Sequence, residues 1–210
     1  MKTAIVGCGL IGNKRADVIT QSPNDKLVIV ADIDAPRAEQ LACEHNCQAT
    51  TDWEQAVNHP QVDAVIVATV NKFLAPITIA ALERGKHVLV EKPMARNLAE
   101  AEQVLQAAVC RPRSAVGVGF NHRHHPAIWQ AHEICARGEI GPLLFVRAIY
   151  GHGGRPGYDK EWRADADLAG GGELLDQGVH IVDLCRWFLV ADPRKGGDFA
   201  EAFSFTNTYF

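Results

Sequence analysis

Short apolar runs alternate with longer amphipathic segments through the first 120 residues of the chain. The apolar runs at 3–6, 27–31, 64–68, 87–90 and 115–118 predict strands, and the segments 11–20, 36–44, 74–83 and 98–108 predict helices. The strands are almost continuously apolar, which is typical of strands covered on both faces. This alternation indicates βαβ units, and therefore an α/β fold with a doubly wound parallel sheet.

The pattern changes after residue 120, where we place a domain boundary. A helix is predicted from 126 to about 137, a strand at 143–150, a glycine-rich segment at 151–172 and a helix from about 173 to 188. Strict alternation at 202–209 predicts a last strand that reaches the end of the chain. Such a strand needs a neighbour. Either the chain is truncated, or the strand pairs in its own sheet or across an oligomer interface.

Composition narrows the class of protein. The 210 residues are 47% hydrophobic and 22% charged, which excludes collagen-like and wholly disordered chains. The net charge is −4 and no long basic run occurs, so nucleic acid is not an expected partner. We find neither a signal-peptide apolar region nor about 18 consecutive apolar residues, and we therefore expect a cytoplasmic protein with no membrane partner.

The six cysteines are scattered through the chain, which predicts reduced thiols. Cys43 and Cys47 lie four residues apart on a predicted helix face. No second ligand pair stands at the spacing of a zinc site, so we expect buried structural thiols there and no metal.

A glycine-rich turn follows the first predicted strand and opens the first helix. It runs Gly7-Cys8-Gly9-Leu10-Ile11-Gly12. In this context Gly7 permits the turn, Gly9 lets the backbone approach a pyrophosphate, and Gly12 lets the helix pack on the strand. The helix N-terminus then faces the phosphate charge.

A carboxylate ends the second predicted strand, twenty residues after the last glycine of the turn. We expect this residue, Asp32, to accept hydrogen bonds from the adenosine ribose. Its charge would repel a 2′-phosphate, and the next residue is Ile33 rather than an arginine, so NAD is favoured over NADP. The alternative is that Asp32 only starts a turn.

Two further positions suggest catalysis. Lys92 comes directly after the strand 87–90, at the edge where ligands bind in doubly wound sheets. Asp176 and His180 stand four apart on a predicted helix, so that the carboxylate can orient the imidazole as a general acid or base. The glycines at 170–172 allow close approach of a ligand. For each of these features a plain surface or turn function is the alternative.

Other polar side chains suggest weaker hypotheses. The histidines at 122, 124 and 125 cannot easily face one ion, so no metal is expected there. Arg123 is a candidate for binding substrate hydroxyls, and Tyr158 is a candidate wall of the substrate site. A linking loop and simple packing are the respective alternatives.

Several motifs together resemble one family. They are the glycine-rich turn, Glu91-Lys92-Pro93, the segment from Gly119-Phe120-Asn121 to His125-Pro126, and the triple glycine at 170–172 through Asp176-Gln177-Gly178-Val179-His180-Ile181-Val182-Asp183. The chain is identified on these motifs as a member of the glucose-fructose oxidoreductase, inositol dehydrogenase and MocA family. The resemblance runs from Met1 to the last residues.

The resemblance implies an NAD(P)-binding Rossmann domain at 1–120. It also implies a partial substrate-binding and oligomerisation domain at 121–210, with an open, mostly antiparallel sheet that forms a homo-oligomer interface. Lys92, Asp176 and His180 match the family's catalytic group and would also bind the substrate. The further cofactor contacts that it implies are Thr69, Asn71, Glu91, Lys92, Trp162 and Arg163.

The implied activity is hydride transfer between a nicotinamide and a secondary alcohol of a sugar, cyclitol or sugar nucleotide. In this hypothesis His180 removes the hydroxyl proton, Asp176 sets the tautomer of that imidazole, and Lys92 donates to the oxygen. The chain departs from the family at Val70 and Leu74, where proline and histidine are common, and family members usually continue further. A nucleotide-binding sensor or pseudoenzyme, and an inactive fragment, are the alternative functions.

Overall fold

The computed structural model describes residues 1–151, 156–189 and 199–205. Its six strands are β1 (Lys2–Val6), β2 (Lys26–Ala31), β3 (Gln48–Thr50), β4 (Ala64–Val67), β5 (His87–Val90) and β6 (Val116–Val118). They form one sheet in the order β3-β2-β1-β4-β5-β6, and each neighbouring pair is parallel. The predicted doubly wound sheet is confirmed, and the strand order reverses between β1 and β4.

Helices cover both faces of this sheet. They are α1 (Leu10–Gln21), α2 (Ala35–His45), α3 (Trp53–Asn58), α4 (Asn71–Glu83) and α5 (Leu98–Val109). Successive side chains of β1 enter different apolar clusters: Ala4 and Val6 belong to one, and Ile5 belongs to the other. A strand whose two faces are both buried must be apolar at every position, which is why these runs lack strict alternation.

Sequence reasoning missed β3 and α3. β3 has only three residues, two of them polar, and it lies at the edge of the sheet, so no apolar run marks it. α3 has six residues, and its N-terminus is capped by Asp52, whose carboxylate accepts the Glu54 N–H at 2.8 Å. Elements this short carry little periodicity.

The cysteine prediction is wrong in part. Cys43 is exposed, and Cys47 lies beyond α2, which ends at Asn46 in a left-handed conformation. All six cysteines are free thiols. Burial raises the pKa of Cys47 to about 11, and burial together with the charge of Asp32 raises that of Cys8 to about 12. Both thiols therefore stay protonated at neutral pH.

The later elements are mainly helical. They are α6 (Pro126–Ala136), α7 (Ala166–Ala169) and α8 (Val179–Leu189), with a π-helical turn at Leu174–Gly178 and short 3₁₀ turns at Asn121–His124, Tyr158–Lys160 and Trp162–Ala164. The helices predicted at 126–137 and 173–188 are confirmed. The π turn carries Asp176, and π-helical turns often occur at functional sites.

The strand predicted at 143–150 is not found. This segment has no assigned secondary structure, and Leu144 and Ile149 are 87% and 90% exposed. Residues 202–205 are likewise without strand structure, while 206–209, the rest of that predicted strand, lie outside the described residues. A strand requires hydrogen bonds to a neighbour, and among the described residues no strand pairs with either segment.

The described chain packs as two units. The first joins Met1–Phe120 with the described part of Gly151–Val179, and the second joins Asn121–Tyr150 with the described residues from His180 onward. The domain limits expected from the sequence, 1–120 and 121–210, remain a prediction. Across the described ranges, no helix combines the length and the apolar character needed to cross a bilayer.

Candidate active site

The glycine-rich turn has the geometry that its spacing predicts. Gly7 has φ +100°, and a Cβ atom there would lie 2.4 Å from the Ala68 carbonyl oxygen. A Cβ on Gly12 would lie 1.9 Å from the Gly7 oxygen, so α1 packs directly on the turn. At Gly9, in contrast, a Cβ would meet nothing within 4 Å. Two glycines therefore serve packing, and the third faces open space.

The N-terminus of α1 is suited to an anion. Its N-cap residue, Gly9, has no side chain to accept from the first backbone N–H groups, and no acidic residue stands in the first turn. α2 and α5 differ, because Asp34 and Asn97 cap them with side-chain oxygens. The exposed Leu10 and Ile11 begin α1 beside this opening. A helix with unsatisfied N-terminal donors attracts phosphate.

Asp32 follows β2 and holds the turn from its other side. One carboxylate oxygen accepts the Cys8 N–H at 2.7 Å, and the other accepts the Asp34 N–H at 2.9 Å. The carboxylate thereby fixes the negative charge beside the glycine-rich turn. Each oxygen keeps a further lone pair for another donor.

Asn13 is a contributor that sequence reasoning missed. Its amide donates to the carbonyls of Cys8 and Gly9 at 2.8 and 2.9 Å and so stabilises the turn from within α1. Its place directly after Gly12 is the only feature of the sequence that could have indicated this contact, and an asparagine there does not stand out from other polar residues.

The residues after β4 differ in their surroundings. Thr69 lies against Gly7, where a Cβ would be 2.9 Å from the Thr69 nitrogen. Asn71 is buried, and its amide donates to the Ala169 carbonyl at 2.9 Å, which anchors the end of α7 to the start of α4. The structure therefore gives Asn71 a packing function, and its cofactor contact remains a prediction.

Lys92 and Asp176 form the centre of the site in the first unit. The Lys92 ammonium donates to the Asp176 carboxylate Oδ1 at 2.7 Å and to the main-chain oxygen of the same residue. The Arg163 Nε donates to the other carboxylate oxygen at 3.0 Å. The side chains of Lys92 and Asp176 are only 17% and 11% exposed. One carboxylate is thus shared by two cations in a nearly enclosed position.

This arrangement determines the charge of Asp176. Burial disfavours the ionised form, but the hydrogen bonds and charges of Lys92 and Arg163 outweigh it, and the pKa of the carboxyl falls below its ordinary value. Asp176 is therefore a carboxylate at neutral pH. Sequence reasoning paired it with His180, whereas its two oxygens face Lys92 and Arg163; orientation of His180 by Asp176 remains a prediction.

Aromatic side chains adjoin this cluster. The Arg163 guanidinium lies over the Trp162 ring, with its Cζ 4.5 Å from the ring centroid, and also contacts Glu161. Burial and the charge of Asp176 raise the pKa of Tyr158. Arg163 therefore connects the ion pair to the Trp162 ring.

Glu91 forms an ion pair within the protein. Its carboxylate accepts two hydrogen bonds from the Arg15 guanidinium of α1. Arg15 was missed in the sequence because 76 residues separate the two partners. A direct contact between Glu91 and the cofactor stays a prediction.

The glycines at 170 and 172 differ in the space around them. Gly170 has φ +79° and ends α7, and a Cβ there would lie 2.4 Å from the Arg96 Cβ. Gly172 faces open space. Gly170 therefore lets α7 pack against the segment that follows β5.

The second unit places His180 in an aromatic group. The ring stacks on His122 with centroids 3.9 Å apart, and the Tyr150 ring meets it edge-on at 6.4 Å. His180 is buried on the same face of α8 as Asp183 and Trp187. No group of three metal-ligating side chains occurs among the described residues.

Arg123 is engaged within the protein. Its guanidinium makes a two-pronged ion pair with the Asp183 carboxylate and lies 5.7 Å from the Trp187 ring centroid. Asp183 closes one of the motifs that carry the resemblance, but its pairing with Arg123 was missed because the two residues are 60 apart. The guanidinium satisfies a buried carboxylate, and the substrate contact of Arg123 remains a prediction.

Two family models match the sequence. Residues 1–120 match the model described as an oxidoreductase family with an NAD-binding Rossmann fold, and residues 128–205 match the model of the GFO/IDH/MocA C-terminal domain.

Individual proteins are similar over most of this chain. A 1,5-anhydro-D-fructose reductase of Ensifer adhaerens is 32% identical over 91% of this chain and 57% of its own length. Inositol 2-dehydrogenase 4 of Saccharopolyspora erythraea is 32% identical over 90% of this chain and 54% of its own length. A further match is the structure of the scyllo-inositol dehydrogenase of Lactobacillus casei, solved with NAD(H) and scyllo-inositol. Its TM-score is 0.80 and its identity 26%, and the match covers 90% of this chain and 56% of that one. The chain thus spans little more than half the length of these relatives.

Proposed function

Because the chain belongs to the GFO/IDH/MocA oxidoreductase family, we propose that it binds NAD and transfers a hydride between the nicotinamide and a secondary alcohol of a sugar or cyclitol. The observation that carries the proposal is the largely enclosed Lys92–Asp176 ion pair. Lys92 follows β5 and the glycine-rich turn follows β1, so both stand at the carboxyl edge of one parallel sheet. Ligands of such sheets bind at this edge.

The chain has a fitting cradle for a dinucleotide. The uncapped N-terminus of α1 supplies N–H donors for the pyrophosphate, and the open space at Gly9 leaves room for it. Asp32 is the acceptor for the adenosine ribose hydroxyls, and its charge supports the preference for NAD over NADP. When bound, the nicotinamide supplies the hydride acceptor or donor.

The chain's own groups handle the proton and the oxygen of the alcohol. Lys92 donates a hydrogen bond to that oxygen as negative charge develops, and His180 takes the hydroxyl proton. Asp176 stays ionised and holds Lys92 in place, while Arg163 holds the other carboxylate oxygen. Tyr158 forms a wall of the substrate site.

Absorbance of the reduced nicotinamide tests the activity, with a panel of sugars, cyclitols and sugar nucleotides and either NAD or NADP. We expect NAD-dependent turnover that falls by about 10²-fold or more in Lys92→Ala and in His180→Ala. Lys26→Ala is the control, because Lys26 is exposed at the start of β2, on the opposite edge of the sheet.

Two results would contradict the proposal. Full turnover in both variants would exclude Lys92 and His180 from the reaction. NADH binding without turnover on any substrate would instead support a nucleotide-binding sensor.

We also propose that the protein is cytoplasmic, where the NAD pool is, and that it self-associates through the second unit. Large apolar side chains of that unit, including Leu144 and Ile149, are exposed. Exposed apolar surface of this kind is typical of protein interfaces.

A further inference from the structure

A second ion pair lies on the other side of the strand end that carries Lys92. The Glu91 Oε1 accepts from the Arg15 Nε at 3.0 Å and from Nη2 at 2.6 Å. The side chains of Arg15 and Glu91 are 28% and 12% exposed. Both bonds end on one carboxylate oxygen, and a charge-assisted pair that is largely removed from solvent fixes its partners more firmly than a surface pair does.

The end of β6 closes the space around this carboxylate. A Cβ on Gly119 would lie 2.6 Å from the Glu91 Oε2. Gly119 also donates its N–H to the Val90 carbonyl at 2.8 Å, and the Glu91 N–H donates to the Val67 carbonyl at 2.9 Å. The backbone of Glu91 is therefore held between β4 and β6, and its carboxylate has little freedom to move.

The pair links two parts of the proposed site. Arg15 stands on α1, three residues after Gly12, and α1 begins at the glycine-rich turn. Glu91 contacts Arg15 of α1, whereas the next residue, Lys92, contacts Asp176. The pair therefore connects the residue before Lys92 to the helix that begins at the glycine-rich turn.

We propose that Arg15 and Glu91 are a positioning pair, which fixes Lys92 relative to the turn that holds the dinucleotide. This inference rests on the proposed function. Glu91 then acts through Arg15 and the strand end rather than by touching the cofactor. Gly119 contributes to this arrangement, because a Cβ there would lie 2.6 Å from the Glu91 Oε2 and would displace the carboxylate.

A double-mutant cycle with Arg15→Met, Glu91→Gln and the combined variant tests the pair. We expect each single change to lower kcat by about 10-fold to 100-fold, since small displacements of a catalytic group cost this much. NADH affinity should stay within about twofold, because the uncapped N-terminus of α1 is untouched. The combined variant should lose no more than the worse single variant. Gly119→Ala should mimic Glu91→Gln.

Glu139→Gln is the matched control. Glu139 forms a similar pair with Arg137, but both side chains are more than half exposed, so kcat should not change. Losses that multiply in the combined variant would overturn the proposal. So would weaker NADH binding at unchanged kcat in Glu91→Gln, which would mean that Glu91 contacts the dinucleotide.

A second readout needs no turnover and separates this inference from the proposed activity. The rate at which acetic anhydride acetylates Lys92, followed by peptide mass spectrometry, reports the contact with Asp176. Loss of positioning should speed labelling by about threefold or more in both single variants. A purely electrostatic effect would act in opposite directions, because one variant removes a positive and the other a negative charge. Opposite or absent changes would overturn the positioning function even if the chain has no turnover.

Discussion

At the residue scale, the sharing of Asp176 between two cations has a measurable consequence. Arg163 helps to hold the Asp176 pKa below its ordinary value, so Arg163→Met should raise that pKa. Because activity needs the carboxylate, the acid limb of the kcat profile should move to higher pH, and kcat at neutral pH should fall by roughly tenfold or more. Arg137→Met, which removes an exposed guanidinium of the second unit, is the control. An unmoved acid limb would mean that Asp176 ionisation does not limit turnover.

Asp32 carries the expected preference for NAD. Asp32→Asn keeps one oxygen acceptor for the Cys8 or Asp34 N–H but removes the charge that repels a 2′-phosphate. The ratio of the Kd values for NADPH and NADH should fall by about tenfold, or about 1.4 kcal/mol, in fluorescence titrations. Asp52→Asn, a similar change at the cap of α3, should leave the ratio unaltered. If the ratio of the Kd values is the same in both variants, Asp32 stabilises the turn without selecting the cofactor.

The sequence identifies individual site residues better than their partners. The glycine spacing and the position of Lys92 after a strand follow from local rules, and the structure has both as expected. The contact between Lys92 and Asp176 spans 84 residues, so no local spacing indicates it. Helical periodicity suggested His180 as the partner of Asp176 because it reports only neighbours on one helix.

At the element scale, the glycine-rich turn allows a matched comparison between two alanine substitutions. Gly12→Ala places a methyl group 1.9 Å from the Gly7 oxygen, so we expect a loss of stability of about 1–3 kcal/mol or more. Gly9→Ala points into open space and should fold normally, while its methyl group occupies the room left for the pyrophosphate. Thermal denaturation and NADH titration measure the two effects. Equal melting temperatures for the two variants would contradict this division.

The anchoring of α7 can be tested in the same way. Asn71→Ala leaves the Ala169 carbonyl without its buried donor, and we expect a cost of about 1–3 kcal/mol in urea denaturation. Lys72→Ala removes the neighbouring pair with Asp167, whose side chain is 67% exposed, and should cost about 0–1 kcal/mol. If both variants lose the same stability, the Asn71 hydrogen bond is not the main anchor.

Elements were predictable where a pattern is long enough to be distinct. The apolar strands of the sheet and the helices α4 and α8 were found, because burial on one or both faces imposes a pattern. β3 is short and polar, and the segment 143–150 has a strand-like pattern without a strand neighbour among the described residues. Whether a pattern becomes a strand depends on tertiary hydrogen bonds, and residue spacing does not report them.

At the scale of the whole molecule, the two units differ in how deeply their elements are buried. β1 has four buried residues in succession, whereas α6 has none. Hydrogen exchange followed by mass spectrometry should therefore give slow exchange for β1 and much faster exchange for α6, because few buried contacts oppose its opening. Equal protection would indicate that α6 is covered, for example by a second copy of the chain.

Exposed aromatic side chains of the second unit are candidates for a self-association interface. Phe203 and Phe205 are 86% and 89% exposed, and their rings contact each other edge-on at 5.0 Å. If such side chains form an interface, sedimentation velocity should give a mass above 22.9 kDa that rises with concentration. Phe203→Ser combined with Phe205→Ser should shift the protein towards the monomer. Leu105→Ser removes an exposed apolar side chain from α5 of the first unit and should not change the monomer fraction. A monomer at every concentration would exclude the interface, and an equal shift in both variants would indicate unspecific apolar association instead.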